Sequence, residues 1–326
     1  MTGIFKANNP SGNAILFLYA IFLKLPLFLH IRLPQLQALD GILYKIILHF
    51  LNPVANNFKP IYSVFTFILL IAQAIGINKI VNDLKLHKQN NYLTGMTYLL
   101  ITSMFSDWFS FSAPLIVNTL LIWIWAKLCT LYNNHHAKIS LFNIGFITSI
   151  AAFVYFPSVS FLVLIIAGVA ISRPFRLQEW LTIIVGAFTP IYLFASTLYL
   201  TNNIGTYHFP GFHFSYPHFF GNKWAYSALI LLSLAIAIGF YFTNTNMRRQ
   251  VVQARKSWQL LFLYATVAAL VPFVNASINF SYWILLAVPI SPIVASAFLY
   301  SEKKVVSQIL YWSMFVIFIA VGFLGK

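Results

Sequence analysis

Residues 61–77 read IYSVFTFILLIAQAIGI, a run without a single charged side chain. A helix needs roughly 20 apolar residues to cross the hydrocarbon core of a bilayer, so this stretch predicts a membrane-spanning helix. Similar runs follow one another along the chain, with charge confined to short gaps between them. Hydrophobic residues make up 60% of the sequence and charged residues only 8%, whereas an average soluble domain has about 25% charged residues. We therefore expect an all-α, polytopic transmembrane helix bundle that forms a single integral membrane domain over residues 1–326.

Hydropathy predicts about eleven spans in this sequence. The third and the sixth are shorter than a typical span, and the fifth and sixth meet at Pro157. In chain order the predicted spans are Asn13–His30, Ile61–Ile77, Tyr92–Phe105, Ala113–Tyr132, Ile139–Phe156, Ser158–Ile171, Trp180–Thr201, Trp224–Phe242, Leu260–Val274, Phe280–Tyr300 and Val305–Leu324.

The basic residues predict the orientation. If the N-terminus is cytoplasmic and the spans alternate, every inner loop carries Lys or Arg, as the positive-inside rule requires. The densest inner cluster is Arg248, Arg249, Arg255 and Lys256. The abundance of Phe, Ile, Asn and Lys is typical of an AT-rich bacterial genome, so we expect the bacterial inner membrane, with a periplasmic C-terminus. The net charge of +15 is spread over many short loops, so we expect the lipid bilayer as a partner and no nucleic acid.

Two outer loops are long enough to have structure of their own. In the loop 31–60, the apolar residues Ile42, Leu43, Ile46, Ile47, Phe50 and Leu51 share one helical face, opposite Lys45 and His49. This spacing predicts an amphipathic helix that lies in the membrane interface. The second loop, 202–223, is rich in aromatic residues and carries His208, His213 and His218. It suits the membrane interface, and a zinc-binding loop is the less favoured alternative.

Acidic residues are the scarcest groups that can carry chemistry, because the chain has only five. Asp40 and Asp107 both face outward under the predicted topology. An isolated acid close to a membrane usually has a partner or a function. Together the two carboxylates can serve as a catalytic base or hold a divalent metal ion. The structural alternatives are a helix cap for Asp40 and a turn or cap for Asp107.

Basic side chains on the same outer side are candidates for substrate binding. His30, Arg32 and His49 can contact a phosphate group, and they can equally be polar tips at the interface. Lys24 and Lys127 fall within predicted spans near their ends, where a long aliphatic stem allows the ammonium group to reach the interface.

The layout of the first 130 residues resembles that of membrane glycosyltransferases of the C-type fold, which use polyprenyl-phosphate sugar donors. The resemblance rests on Arg32 and Asp40 after the first span, the amphipathic stretch 42–51 and Asp107 in the second outer loop. It implies Asp40 as the base, Asp107 as a metal ligand, and Arg32 or a nearby His as a phosphate contact. The sequence departs from the family in having no paired acids and no large outer domain.

A second resemblance is to an uncharacterised family of bacterial polytopic inner-membrane proteins. It rests on the N-terminal residues 2–6 and 8–10 and on Leu25–His30. Three functions therefore stay open. They are an enzyme that acts on lipid-linked sugars at the outer face, a non-catalytic membrane subunit that binds another membrane protein, and a transporter or flippase.

Overall fold

The computed structural model describes residues 2–7, 11–133, 137–202, 205, 223–273, 280–301 and 304–324. Within these ranges the chain is helical and contains no strand. The α-helices are α1 (Thr2–Lys6), α2 (Gly12–Leu23), α3 (Leu25–Leu29), α4 (Ile42–Asn57), α5 (Ile61–Asp83), α6 (Leu93–Ile101), α7 (Ala113–Thr130), α8 (Ala137–Val154), α9 (Leu162–Ser172), α10 (Leu177–Leu200), α11 (Lys223–Met247), α12 (Val252–Leu270), α13 (Ala287–Tyr300) and α14 (Lys304–Ile319). Short 3-10 segments cover Ser106–Phe109, Leu131–Asn133, Phe156–Phe161, Val271–Phe273 and Phe280–Leu286, and a π-helical turn covers Ala320–Leu324.

Eight helical stretches of the described chain are long and apolar enough to cross a membrane, and Gly12–Leu23 and Phe156–Ser172 are shorter apolar helices. The expected all-α class is therefore confirmed for the described residues, and the apolar helices fit a multi-pass membrane protein. The count of about eleven spans stays a prediction. The third expected span, Tyr92–Phe105, contains only the nine-residue helix α6, and every residue of α6 is buried. Its apolar side chains face protein on all sides, and hydropathy alone does not distinguish that environment from lipid.

Helices α5, α7 and α13 surround the interior of the bundle together with α6, and α13 is almost wholly buried. Pro292 interrupts α13 and has no N–H for the carbonyl of Val288, four residues earlier. The Ser291 hydroxyl donates to that carbonyl at 2.9 Å. The Thr97 hydroxyl of α6 lies 2.9 Å from the Ser291 carbonyl oxygen. Side chains thus satisfy the backbone groups around the proline, as an apolar surrounding requires.

Glycines bring the outer helices close to the bundle. A Cβ at Gly145 of α8 would lie 2.3 Å from the Ile183 carbonyl oxygen, and one at Gly186 of α10 would lie 2.2 Å from that of Phe142. The Ser149 hydroxyl also donates to the Ala187 carbonyl at 2.5 Å. Small residues allow such close helix contacts in membranes. Helix α10 buries one narrow stripe on α8 and leaves a broad apolar face exposed.

The contacts gather the connecting segments at two ends of the bundle. At one end, the Lys6 ammonium donates to the Leu299 carbonyl at 3.0 Å, and the Lys88 N–H donates to the Tyr300 hydroxyl at 3.0 Å. At the other end, the Arg32 guanidinium donates to the Ser106 carbonyl at 2.9 Å. At each end, the segments in contact are expected on the same side of the membrane from the distribution of the basic residues.

Lys24 lies between α2 and α3 and is completely buried, with 0% of the residue exposed. Its ammonium donates to the Thr102 hydroxyl at 2.9 Å and lies 5.3 Å from the centre of the Phe109 ring. The expectation that Lys24 reaches the interface is therefore wrong. The break after α2 turns its side chain toward α6 instead. Lys127 is half-buried and lies over the Trp123 ring at 5.3 Å.

We predict that Gly186→Ala destabilises the fold, because the new methyl group would meet the α8 backbone and push α10 away. Such overpacking costs about 1–3 kcal/mol, and the measurement is thermal unfolding in mild detergent, followed by tryptophan fluorescence. Gly76→Ala in α5 is the matched control, since a Cβ there meets nothing within 4 Å and alanine favours a helix. Equal melting temperatures for the two variants would contradict the close α8–α10 contact.

Candidate functional site

Asp40 stands in a backbone bridge that attaches the first connecting loop to the end of α8. The Gly41 N–H donates to the Val154 carbonyl at 2.9 Å, and the Phe156 N–H donates to the Leu39 carbonyl at 3.2 Å. Asp40 and Tyr155 are thereby paired as in an antiparallel bridge. A Cβ at position 41 would lie 1.9 Å from the Phe153 carbonyl oxygen. Only glycine allows this approach, so Gly41 fixes the position of Asp40.

The Asp40 side chain is buried, with 4% of the residue exposed. Its Oδ2 accepts one hydrogen bond, from the Gln37 N–H at 2.8 Å. Helix α4 begins after Gly41, and no side chain caps its N-terminus. The alternative in which Asp40 caps this helix is therefore wrong. Burial raises the pKa of the Asp40 carboxyl to about 6, although the Gln37 hydrogen bond and the charge of Lys45 act in the opposite direction.

A cavity of about 660 Å³ opens beside Asp40, between α4, α8, α9 and α10. Its polar lining consists of Asp40, Lys45, Thr148 and Ser149. Its apolar lining consists of Ala38, Ile42, Ala152, Phe153, Phe156, Val159, Leu162, Ala187 and Ile191, with Gly41 between the two. The size is that of a typical small-molecule site, and a mostly apolar wall with few polar groups is the usual composition of one.

Tyr155 lies behind the bridge and is fully buried. Its ring stacks on that of Tyr282 with 5.2 Å between the centroids. The Tyr155 hydroxyl and the Ser158 hydroxyl have no hydrogen-bond partner among the described atoms. A buried polar atom of this kind needs an explanation such as a water, an ion or a functional role. Sequence reasoning missed Tyr155, Thr148 and Ser149, because each is an ordinary residue of an apolar helix or its end.

Asp107 lies in the 3-10 turn Ser106–Phe109 and has a different environment, because 43% of its side chain is exposed. Its Oδ1 is 3.6 Å from the Arg32 guanidinium, and its Oδ2 accepts the Phe280 N–H at 3.3 Å. The Trp108 indole N–H donates to the Phe280 carbonyl at 3.0 Å. Asp107 thus holds the start of the 3-10 segment Phe280–Leu286 against this turn. These contacts agree with the turn or cap that the sequence offered as the alternative to catalysis.

The three candidate phosphate contacts do not line the cavity. Arg32 is half-buried and contacts Asp107 and the Ser106 carbonyl. His30 is exposed at the end of α3. His49 is exposed on α4, with its ring 6.1 Å from that of Phe50. Lys45, one turn before His49, is the basic residue in the cavity lining, and sequence reasoning placed it only on the polar face of the helix.

The described residues do not fit a divalent metal ion shared by the two acids. Asp40 accepts from Gln37 and faces Lys45, whereas Asp107 pairs with Arg32 and Phe280. Across the described ranges, no three His, Cys, Asp or Glu side chains come together as a group that can hold a metal. The histidines of the loop 202–223 lie outside the described residues.

Helix α4 packs on the bundle through residues that lie outside its expected apolar face. Tyr44, Leu48 and Ala55 are buried, and the Tyr44 hydroxyl donates to the Phe111 carbonyl at 2.8 Å. Ile46 and Phe50, expected on the apolar face, are exposed, Phe50 to 72%. The hydroxyl contact of Tyr44 therefore sets the rotation of the helix, and its outward face is partly apolar.

Comparison with known proteins gives one match. A family model described as a family of unknown function, DUF6427, matches residues 12–325. No curated protein and no solved structure matches the chain. The expected resemblance to a family without an assigned activity agrees with this match, and the resemblance to glycosyltransferases rests on the layout of the sequence.

We predict that Asp40 makes the fold less stable as the pH rises. The raised pKa means that the folded protein holds a proton that the unfolded chain releases near the usual value of 3.8. The stability from this proton is present below 3.8 and is lost as the pH rises through about 6. Wild type should therefore lose about 2 kcal/mol from this group between pH 4 and 7.5, and Asp40→Asn should melt at the higher temperature at pH 7.5.

The measurement is the melting temperature of both proteins across that pH range in the same detergent. Asp107→Asn is the matched control, because it also removes a carboxylate at this end of the bundle. The Asp107 side chain is 43% exposed and is paired with Arg32. If the melting temperatures of wild type and Asp40→Asn changed with pH in the same way, the Asp40 carboxyl would not have a raised pKa in the folded protein.

Proposed function

The chain belongs to the DUF6427 family, and for it we propose a membrane enzyme that transfers a sugar from a polyprenyl-phosphate carrier. The proposed location is the outer face of the bacterial inner membrane. One observation carries the proposal: the buried Asp40 carboxylate lies in the wall of a mostly apolar cavity, together with the Lys45 ammonium. A strongly perturbed acid in such a cavity is the usual mark of a functional site.

Asp40 is the proposed general base. With a pKa of about 6, its carboxyl is mostly ionised at neutral pH and still basic enough to accept a proton, which is the best compromise for this role. In the proposed step, an acceptor hydroxyl gives its proton to Asp40 as its oxygen bonds to the anomeric carbon of the sugar. The bond between that carbon and the carrier phosphate breaks, and the phosphate leaves with the electron pair.

In this proposal, each side of the cavity binds a different part of the substrate. Lys45 attracts the carrier phosphate and stabilises the charge that it gains in the transition state. The apolar walls, which Phe153, Phe156 and Leu162 help to form, suit the first isoprene units of the carrier. Arg32 keeps part of its guanidinium exposed and can meet the phosphate before it enters. No step in this proposal needs a metal ion bound between Asp40 and Asp107.

The proposed topology places the N-terminus in the cytoplasm, the C-terminus in the periplasm and about eleven segments in or across the membrane. The contacts at the two ends of the bundle support it, because they join segments of the same expected side. In this topology α4 lies at the outer interface. Its exposed Ile46 and Phe50 would face lipid, and its exposed Lys45 and His49 would face the head groups.

The alternative is a non-catalytic subunit that binds another membrane protein. Two observations favour it: Arg32 and Asp107 are engaged with each other and with backbone groups, and α10 offers a broad apolar face that the rest of the chain leaves uncovered. For a transporter or flippase, the prolines Pro289 and Pro292 in the buried helix α13 are the supporting feature, since interrupted helices occur at transporter sites.

We predict that Asp40→Asn abolishes sugar transfer, because general-base catalysis contributes about 10²–10⁴-fold. The assay uses purified protein in liposomes with polyprenyl-phosphate mannose or glucose. It measures release of polyprenyl phosphate with water as the acceptor, so that the sugar is released as the free sugar and the natural acceptor need not be identified. Asp107→Asn is the control and should keep its turnover while it loses melting temperature.

Two outcomes count against the enzyme. Wild-type turnover by a folded Asp40→Asn protein would remove Asp40 as the base. Release by wild type that does not exceed that of empty liposomes, together with a stable complex with another membrane protein in mild detergent, would favour the subunit.

A second prediction concerns the cavity itself. Polyprenyl phosphate without a sugar should raise the melting temperature of wild type, because a ligand that binds only the folded state stabilises it. Ala152→Trp should lose this effect, since its side chain would fill the cavity that Ala152 lines. Ala72→Trp on the exposed face of α5 is the matched control and should keep it. If polyprenyl phosphate raised the melting temperature of both variants equally, the lipid would bind outside this cavity.

A further inference from the structure

Five exposed basic residues lie at the end of the bundle opposite Asp40, on two segments that are far apart in sequence. Lys85 and Lys88 belong to the connection between α5 and α6. Arg248 and Arg249 follow α11, and Arg255 is in the first turn of α12. We call these five residues the basic surface.

The two segments are joined at one buried carbonyl group. The Gln250 side-chain amide donates to the Leu86 carbonyl at 2.6 Å, and the Trp258 indole N–H donates to the same oxygen at 3.3 Å. Leu86 and Trp258 are buried. This junction lies between Lys85 and Lys88 on one segment and beside Arg249 on the other. The positive charges are therefore held close together by the fold, against their mutual repulsion.

Lys85 is in a conformation that an L-residue rarely adopts. Its φ is 51°, and it follows α5 at the position where a left-handed residue, normally glycine, ends a helix. The Leu86 N–H closes the helix end by donating to the Val81 carbonyl at 3.1 Å. Glycine would adopt this conformation without a steric penalty. A lysine here therefore has a use other than ending the helix, and its charge is the property that glycine lacks.

The surroundings of the arginines are those of a membrane boundary. Helices α11 and α12 are both long and apolar enough to cross a membrane, so the turn between them lies at the depth of the lipid head groups. Val251 and Val252 follow the arginine pair and are exposed, Val251 to 66%. Exposed apolar side chains next to guanidinium groups suit the membrane interface, where the hydrocarbon chains lie just below the phosphate groups.

We propose that the basic surface binds the phosphodiester head groups of anionic phospholipids. Arginine is well suited to this role, because its planar guanidinium group binds phosphate oxygens through two parallel hydrogen bonds. Among the described acids, Asp83 is exposed near Lys85, and Glu179 is buried in an ion pair with Arg173 at 3.1 Å. The surface thus keeps a net positive charge that a zwitterionic lipid would not neutralise. The proposal does not depend on Asp40 or on sugar transfer.

The test titrates the purified protein in neutral detergent with short-chain phosphatidylglycerol and follows the melting temperature, from which the dissociation constant is obtained. Arg248→Gln combined with Arg249→Gln should weaken binding about 25-fold, because each basic charge near an anionic surface contributes about fivefold. Lys85→Gly should weaken binding about fivefold while the lipid-free protein melts at the wild-type temperature or above it, since glycine suits the left-handed position.

Three comparisons complete the experiment. Lys59→Gln removes an exposed charge from the segment between α4 and α5 and should bind phosphatidylglycerol as wild type does. Short-chain phosphatidylcholine should stabilise wild type much less than phosphatidylglycerol, and inorganic phosphate should not reproduce the effect. The proposal is overturned if Lys85→Gly and the double arginine variant bind as tightly as wild type, or if phosphatidylcholine or free phosphate stabilises the protein equally.

Discussion

Hydrocarbon offers no hydrogen bonds, and this constraint accounts for most polar contacts inside the bundle. At irregular points of the described interior, side chains reach backbone carbonyls. Ser291 does so beside Pro292, and the Asn118 amide of α7 donates to the Ile284 carbonyl of the 3-10 segment Phe280–Leu286 at 2.9 Å. In α5, the Gln73 amide bonds to the Leu115 carbonyl at 2.7 Å. Buried polar residues in this chain are thus first a means of packing irregular helices without losing hydrogen bonds.

The same constraint separates Asp40 from these structural groups. An amide or hydroxyl keeps its hydrogen bonds when it is buried, but a carboxylate also loses the hydration of its charge. Among the described residues, the Gln37 N–H is the one group that donates to the Asp40 carboxylate. Lys45 is exposed and only partly offsets the lost hydration. A sequence under selection for stability alone would favour asparagine here, since it keeps the hydrogen bond and removes the charge. The acid is therefore the strongest sign of function in the described chain.

The sequence predicts the architecture well because hydropathy and span length follow directly from the bilayer. Hydropathy does not tell whether an apolar segment is surrounded by lipid or by protein: the expected third span contains the nine-residue helix α6, and all of α6 is buried in protein. The rotation of α4 could not be predicted either, because it involves a hydrogen bond between Tyr44 and the distant Phe111. The position of this helix in the membrane interface stays a prediction. For the candidate site, the scarcity of acids leads the sequence analysis to Asp40 and Asp107 together, and their different environments become visible only in the structure. The cavity could not be predicted from the sequence, because Thr148 and Ala187 belong to helices that only the tertiary structure brings next to Asp40.

Asp40 and Asp107 are the same residue type, are expected on the same side of the membrane, and are both candidate site residues in the sequence, with Asp40 the stronger of the two. Their environments assign them different roles. Asp107 is 43% exposed, has a cation partner and accepts a backbone N–H at the start of a helix, which are the properties of a carboxylate that stabilises a fold in its ionised form. Asp40 has its charge destabilised by burial and faces a cavity. A base must be able to take up a proton near neutral pH, and burial gives this ability to Asp40, because it raises the pKa of the carboxyl to about 6. The glycosyltransferase layout implies a site with two acids, whereas Asp40 and Asp107 have separate partners among the described residues. The proposed chemistry therefore rests on Asp40 and Lys45, which both line the cavity.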